Sequence, residues 1–201
     1  VARRELASGD AAPRILDVAK RERTDLIVLA TRGANPIQRV LGLGSVTLQV
    51  LGGADCPVLT GVHFEEPPQI ERGHIVCALD TDQAEPGLTW ASRAAREFSA
   101  RLTIVHAVRF GETRELVDGD WVSTLRQRVH ARFTALLSTH GIDADIVIED
   151  GSPREVVATA ARRQRAGLVV IGRSTAHDSL GRLRANSFDI IRRSPCPVVS
   201  V

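Results

Sequence analysis

Apolar positions recur at helical spacing over Ile15 to Arg23 and again over Val156 to Arg165, and each stretch runs into a short unbroken apolar segment, Leu26 to Leu29 or Leu168 to Ile171. The first pattern predicts an amphipathic helix. The second, short and rich in Ile and Val, predicts a parallel strand buried on both faces. Pro13 and Pro153 suit a first helical turn, where a missing amide is no loss. A second helix and a terminal strand, Pro57 to Val62 or Pro197 to Val201, follow in each case.

The two stretches are copies of one another. Gly9 to Gly33 aligns without gaps to Gly151 to Thr175, and Cys56-Pro57-Val58 recurs as Cys196-Pro197-Val198, with two fewer residues between the blocks in the second copy. A repeat of this length governs how the whole fold is read. The second copy also has a front half: a strand from His74 to Leu79 ending at Asp80, a helix from Gly87 to Ala100 with Trp90, Ala94 and Phe98 on one face, and a strand from Leu102 to Val108. A long amphipathic helix from Trp121 to His140 and a strand from Ala144 to Ile148 complete it. Strands alternating with helices imply right-handed crossovers and a parallel sheet covered on both faces. The organisation expected is therefore residues 1–62 as the back part of a first domain, 63–72 as a polar, proline-bearing linker, and 73–201 as a complete second domain.

Composition narrows the function classes. A formal charge of +2 gives no nucleic-acid footprint, and the near-exclusive use of arginine over lysine reads as genome composition. No apolar run approaches the roughly 20 residues of a membrane span, and the N-terminus lacks the apolar core of a signal peptide. A cytoplasmic protein is expected. The chain starts without methionine, so it is expected to begin inside a longer gene product. Cys56, Cys77 and Cys196 fit neither a disulfide framework nor a zinc site and read as reduced core cysteines. The six histidines show no metal spacing, and His106 on its apolar strand reads as a core residue. No nucleophile, base and orienting acid can be assembled, so covalent catalysis is not expected and slow ATP hydrolysis is the most that enzymology could add.

Several stretches together resemble the universal stress protein family: Asp25 to Gly33, Gly44 to Leu51 with Cys56-Pro57-Val58, the strand ending at Asp80, Thr103 to Val108, Gly167 to Gly172, and Ser194 to Val198. The resemblance covers nearly the whole chain and identifies it as a tandem member with a truncated first repeat. It implies an α/β, Rossmann-like fold of the adenine-nucleotide α-hydrolase type, with a five-stranded parallel sheet and helices on both faces. It also implies, in many members, a site for ATP with magnesium or for another adenine nucleotide, signed Gly-x2-Gly-x9-Gly followed by Ser or Thr. Glycines there let the backbone approach phosphates, and the next helix offers its free amides.

Each repeat keeps a different part of that site. In the first, Gly33 is followed by ten residues and then Gly44-Ser45-Val46, with Ser45 suited to cap a helix and its hydroxyl free to reach a phosphate; this keeps plausible phosphate chemistry, a merely capped helix start being the lesser alternative. The strand carrying the aspartate that meets the nucleoside would lie before Val1. In the second, Asp80 stands at the family's aspartate, with Ala78, Leu79 and Ala107 at positions matching the adenine-contacting backbone. Asp80 can equally cap the next turn, and Gly172 can equally serve a close strand-to-helix turn. Arg184-Ala185 replace the expected Gly-Ser, leaving Arg182 and Arg184 to meet an anion directly.

Two functions follow. One is a nucleotide-responsive stress regulator binding in the first repeat; the other is a scaffold whose sites have decayed and whose fold serves dimerisation. The resemblance implies that Val58 to Val62 pairs with Pro197 to Val201 within the chain and that the protein forms homo-oligomers. It also implies that the missing strand leaves Leu26 to Ala30 with a bare edge, and that the parent protein carries about 75 further N-terminal residues.

Overall fold

The computed structural model describes residues 3–30, 44–61, 73–108, 119–173 and 182–201, with 182–186 given by their backbone alone. Gly33, Val62 and the linker at 63–72 lie outside the described residues. The first repeat supplies α1 (Ala11–Arg21), β1 (Ile27–Ala30), α2 (Ser45–Gly53) and β2 (Val58–Gly61). The second supplies β3 (His74–Ala78), α3 (Ala84–Glu97), β4 (Arg101–Val108), α4 (Gly119–His140), β5 (Asp145–Asp150), α5 (Pro153–Arg163), β6 (Leu168–Ile171), α6 (Arg182–Arg193) and β7 (Val198–Ser200).

These strands form one sheet in the order β1-β2-β7-β6-β3-β4-β5. All neighbours are parallel except β2 and β7, which run antiparallel with Val58, Leu59 and Thr60 opposite Ser200, Val199 and Val198. The expectation of a five-stranded sheet is thereby corrected. The second repeat alone contributes five parallel strands, but its terminal strand would be an open edge, and β2 closes that edge by extending the sheet to seven among the described residues.

The layers differ on the two faces. On one, α1 and α2 of the first repeat and α5 and α6 of the second cover the sheet continuously, burying Ala12, Val50, Val58, Val157, Val169 and Ile191 in a single cluster. On the other, α3 and α4 bury Ile75, Cys77, Leu88, Ile104, Phe133 and Val170. Among the described residues that second layer ends before β1, which is one edge of the sheet. Val170 is fully buried, whereas Val28, its counterpart in the duplicated sequence, is 58% exposed.

Duplication extends to the backbone. α1 and α5 both end with an arginine in the left-handed region, Arg23 at φ 50° and Arg165 at φ 49°. Beyond each, the next amide bonds back into the last turn, Thr24 to the Ala19 carbonyl and Ala166 to that of Ala161, both at 2.9 Å. This is the helix ending that glycine ordinarily supplies.

Candidate functional site

Three strands of the second repeat deliver their carboxyl ends to one cleft of about 230 Å³. β3 lies between β4 and β6, so the chain leaves it in opposite directions, and an open α/β sheet binds its ligands outside the carboxyl ends at such a reversal. β3 and its following turn contribute Ala78, Leu79 and Asp80; β4 contributes His106 and Ala107; β6 is followed by Gly172. Val157 of α5 and Ile190 of α6 close the apolar side.

Leu79 is the floor. Its amide donates to the Val105 carbonyl at 3.1 Å, and its own carbonyl accepts from Nδ1 of His106 at 2.8 Å. A carbonyl can only accept, so His106 carries its proton on Nδ1. The Leu79 side chain, 5% exposed, packs into the core cluster on the α3–α4 side of the sheet. Gly87 on α3 holds that side chain in place: a Cβ there would lie 2.7 Å from the Leu79 Cδ2. Asp80 projects at the rim, exposed, and accepts a long contact of 3.5 Å from the Thr81 hydroxyl. Asp82, also lining the cleft, pairs with Arg132 of α4 at 3.1 Å.

Sequence reasoning did not select His106 or Gly87 for the site. His106 was legible as a polar residue on an otherwise apolar strand. Gly87 was legible only as a small residue on the helix face turned to β3.

The phosphate side is built differently in the two repeats. In the first, Gly44 is the N-cap of α2 in extended conformation, and Ser45 and Val46 begin the helix with exposed side chains. Ser45 is thus the first helical residue and not the cap expected of it. In the second, α6 already begins at Arg182, so Arg184 and Ala185 are its third and fourth residues. Aligned on the Cys-Pro-Val blocks, Ala185 matches Ser45, so the helix starts three residues early. Its free amides are displaced by about 4.5 Å at 1.5 Å per residue. Gly181 precedes Arg182 as Gly44 precedes Ser45, a signal that counting from either flanking block passes over.

Gly44, Ser45 and Val46 do not line the cleft. The antiparallel joint at β2 and β7 points the strand ends of the two repeats in opposite directions. α2 begins at the carboxyl end of β1, and its nine residues span about 13 Å before reaching the turn that faces the second repeat. The helix start of the first repeat therefore cannot serve the cleft of the second. Among the described residues no group of His, Cys, Asp and Glu could hold a metal ion, and no helix is long and apolar enough to cross a membrane.

Residues 1–60 and 71–201 match the model of the universal stress protein family. A stretch of 55 residues is 42% identical to the universal stress protein MJ0531 of Methanocaldococcus jannaschii, covering 27% of this chain and 32% of that one. The fold is similar to a universal stress protein from Archaeoglobus fulgidus, with a TM-score of 0.67 and 25% identity over 94% of this chain and 64% of that protein. It is also similar to the functionally unknown protein PA1789 of Pseudomonas aeruginosa, with a TM-score of 0.72 and 19% identity over 96% of this chain and 68% of that one. The chain thus spans less than two thirds of the Archaeoglobus relative and matches about a third of the Methanocaldococcus one. On the strength of the family match along both copies, the chain belongs to the universal stress protein family.

Proposed function

We propose that this stress-response protein binds an adenine nucleotide in the second-repeat cleft and grips it chiefly by the nucleoside. The observation that carries the reading is the convergence of Ala78, Leu79, Asp80, Ala107 and Gly172 on one apolar-floored cleft at the strand reversal. At about 230 Å³ it is smaller than the roughly 300–1,000 Å³ of ordinary small-molecule sites, a size suited to a base and part of its sugar. Asp80 at the rim can accept from sugar hydroxyls. The early start of α6 moves its free amides about 4.5 Å from the position that Gly44-Ser45 marks in the first repeat, so a triphosphate gains little there. ATP with magnesium, held by Gly33, Gly44, Ser45 and Val46, would instead need the first repeat completed by a strand ahead of residues 1–62. A regulator that responds to occupancy, without covalent chemistry, fits this arrangement.

Calorimetric titration of adenosine, AMP and magnesium-ATP tests it. The expected result is that all three bind within about threefold of one another and that Ala107→Leu, which fills the cleft, abolishes binding. ATP binding at least about tenfold tighter than AMP, lost in Gly44→Arg and kept in Ala107→Leu, would move the site to the first repeat; tenfold corresponds to about 1.4 kcal/mol. Failure of every ligand to bind favours the second reading, a scaffold, for which the β2–β7 joint between the repeats is the supporting observation.

A further inference from the structure

Arg173 lines the cleft beside Gly172, and its guanidinium crosses to the other repeat. Its Nη1 donates to the Ala54 carbonyl at 2.7 Å and its Nη2 to the Cys56 carbonyl at 2.8 Å, while its amide donates to the Val201 carbonyl at 2.6 Å. The guanidinium is half-buried, and burial lowers its pKa, opposed by Cys56 and Asp55. Two carbonyls at the end of α2 thus hold a desolvated cation. A fork of two short charge-assisted bonds is the strong form of this contact.

The duplicated turn in the second repeat satisfies itself in another way. Ser194 takes the place of Ala54, and its hydroxyl donates to the Cys196 carbonyl at 2.7 Å. Ser194 is 5% exposed, whereas Ala54 is partly buried and has no hydroxyl to offer the Cys56 carbonyl. The same carbonyl is therefore served locally in one copy and by the opposite repeat in the other. Both turns lead into the strands that pair across the joint, β2 and β7.

We propose that Arg173 selects the strand that pairs with β7: it fits the Ala54–Cys56 turn of the first repeat and not the Ser194–Cys196 turn that a second copy of β7 would bring. In a pairing of β7 with its own copy, each Arg173 would face a turn whose Cys196 carbonyl is already engaged by Ser194. Such a pairing takes from two half-buried guanidinium groups the pair of carbonyls that hold Arg173 here, an unfavourable arrangement. The intramolecular joint is favoured because Ala54 has no hydroxyl.

The experiment compares Arg173→Met, Arg173→Lys, Ala54→Ser and the Ala54→Ser/Arg173→Met double variant of the full chain, by thermal melting and by light scattering over about a hundredfold range of concentration. Arg173→Met is expected to lower the melting temperature by roughly 5 °C and to raise the average mass with concentration beyond that of the wild type. Arg173→Lys, which keeps the charge but not the fork, should fall between. In the Ala54→Ser background, Arg173→Met should cost less than half as many degrees, because the new hydroxyl takes over the Cys56 carbonyl as Ser194 serves Cys196. Equal losses in the two backgrounds, or an association behaviour that Arg173→Met leaves unchanged, would overturn the proposal. Should Arg173→Met fail to fold, recovery of folded protein by Ala54→Ser supports it and absence of recovery refutes it.

Discussion

Val28 and Val170 occupy the same place in the duplicated sequence, and truncating each to alanine asks whether the second helical layer stops where the structure ends it. Val170 is completely buried on the α3–α4 side of β6. Removing two buried methyl-sized groups at about 0.8 kcal/mol each, plus the cavity left behind, makes Val170→Ala cost about 2–3 kcal/mol. Val28 is 58% exposed, so the same change recovers most of its transfer free energy from water and should cost below about 0.7 kcal/mol. For a chain of this size each kcal/mol moves the melting midpoint by roughly 2–4 °C. Calorimetry or urea titration should therefore place Val170→Ala about 5–10 °C below the wild type and Val28→Ala within about 2 °C. Equal losses would refute the reasoning, because they would mean that Val28 is covered in solution by something that packs as α3 and α4 pack on Val170. A small loss at both would instead deny that α3 and α4 anchor β6.

Two further perturbations probe the local physics. Arg165 holds a left-handed conformation at φ 49°, which disfavours any residue with a Cβ, so Arg165→Gly should raise stability by about 0.5–1 kcal/mol in denaturant titration; a loss would show that the arginine side chain contributes more than its backbone strain costs. His74, 2% exposed with Nε2 bonded to the Thr103 hydroxyl at 2.7 Å, has its pKa held below 6.5 by burial and secondarily by Arg101, with Asp145 opposing. Above pH 6.5 both folded and unfolded chains leave it neutral. Below that value the unfolded chain takes up a proton that the folded chain resists, so stability declines as pH falls from 6.5 toward the depressed folded value. Melting between pH 7.5 and about 5.5 should show this decline in the wild type and a flatter profile in His74→Gln, and parallel profiles would remove His74 from the account.

Much of the architecture was readable because the duplicated segments obey the periodicities of their own elements. Leu168 to Ile171 is the strand expected, and Ala78, Leu79, Asp80, Ala107 and Gly172 do share one cleft, since strand ends follow directly from where apolar runs stop. Helix starts were less legible. α1 and α5 begin at Ala11 and Pro153, ahead of the periodic stretches at Ile15 and Val156, because their first turns hold no large apolar side chain to set the period, only small Ala12 being buried there in α1. The start of α6 at Arg182 was not read either, and with it the displacement of its amides. The role of Arg173 could not be read at all. An arginine after a strand looks like a solvated loop residue until the other repeat is docked and Ala54 is seen to lack a hydroxyl.

The joint between the repeats has a mechanical consequence. Three register pairs connect β2 to β7, as many as connect β7 to β6, whereas β3 and β4 share five and β4 and β5 share six, but only the β2–β7 pairing joins the strands of one repeat to those of the other among the described residues. Tension applied along the chain from the first repeat to the second would concentrate on that short antiparallel seam and on the two bonds of Arg173 beside it. Its place between the repeats, rather than its length, makes that seam the first to be loaded. Once it parts, the first-repeat strands lose the sheet that extends them, while the five parallel strands of the second repeat keep their partners, so the protein would yield in two unequal steps under load.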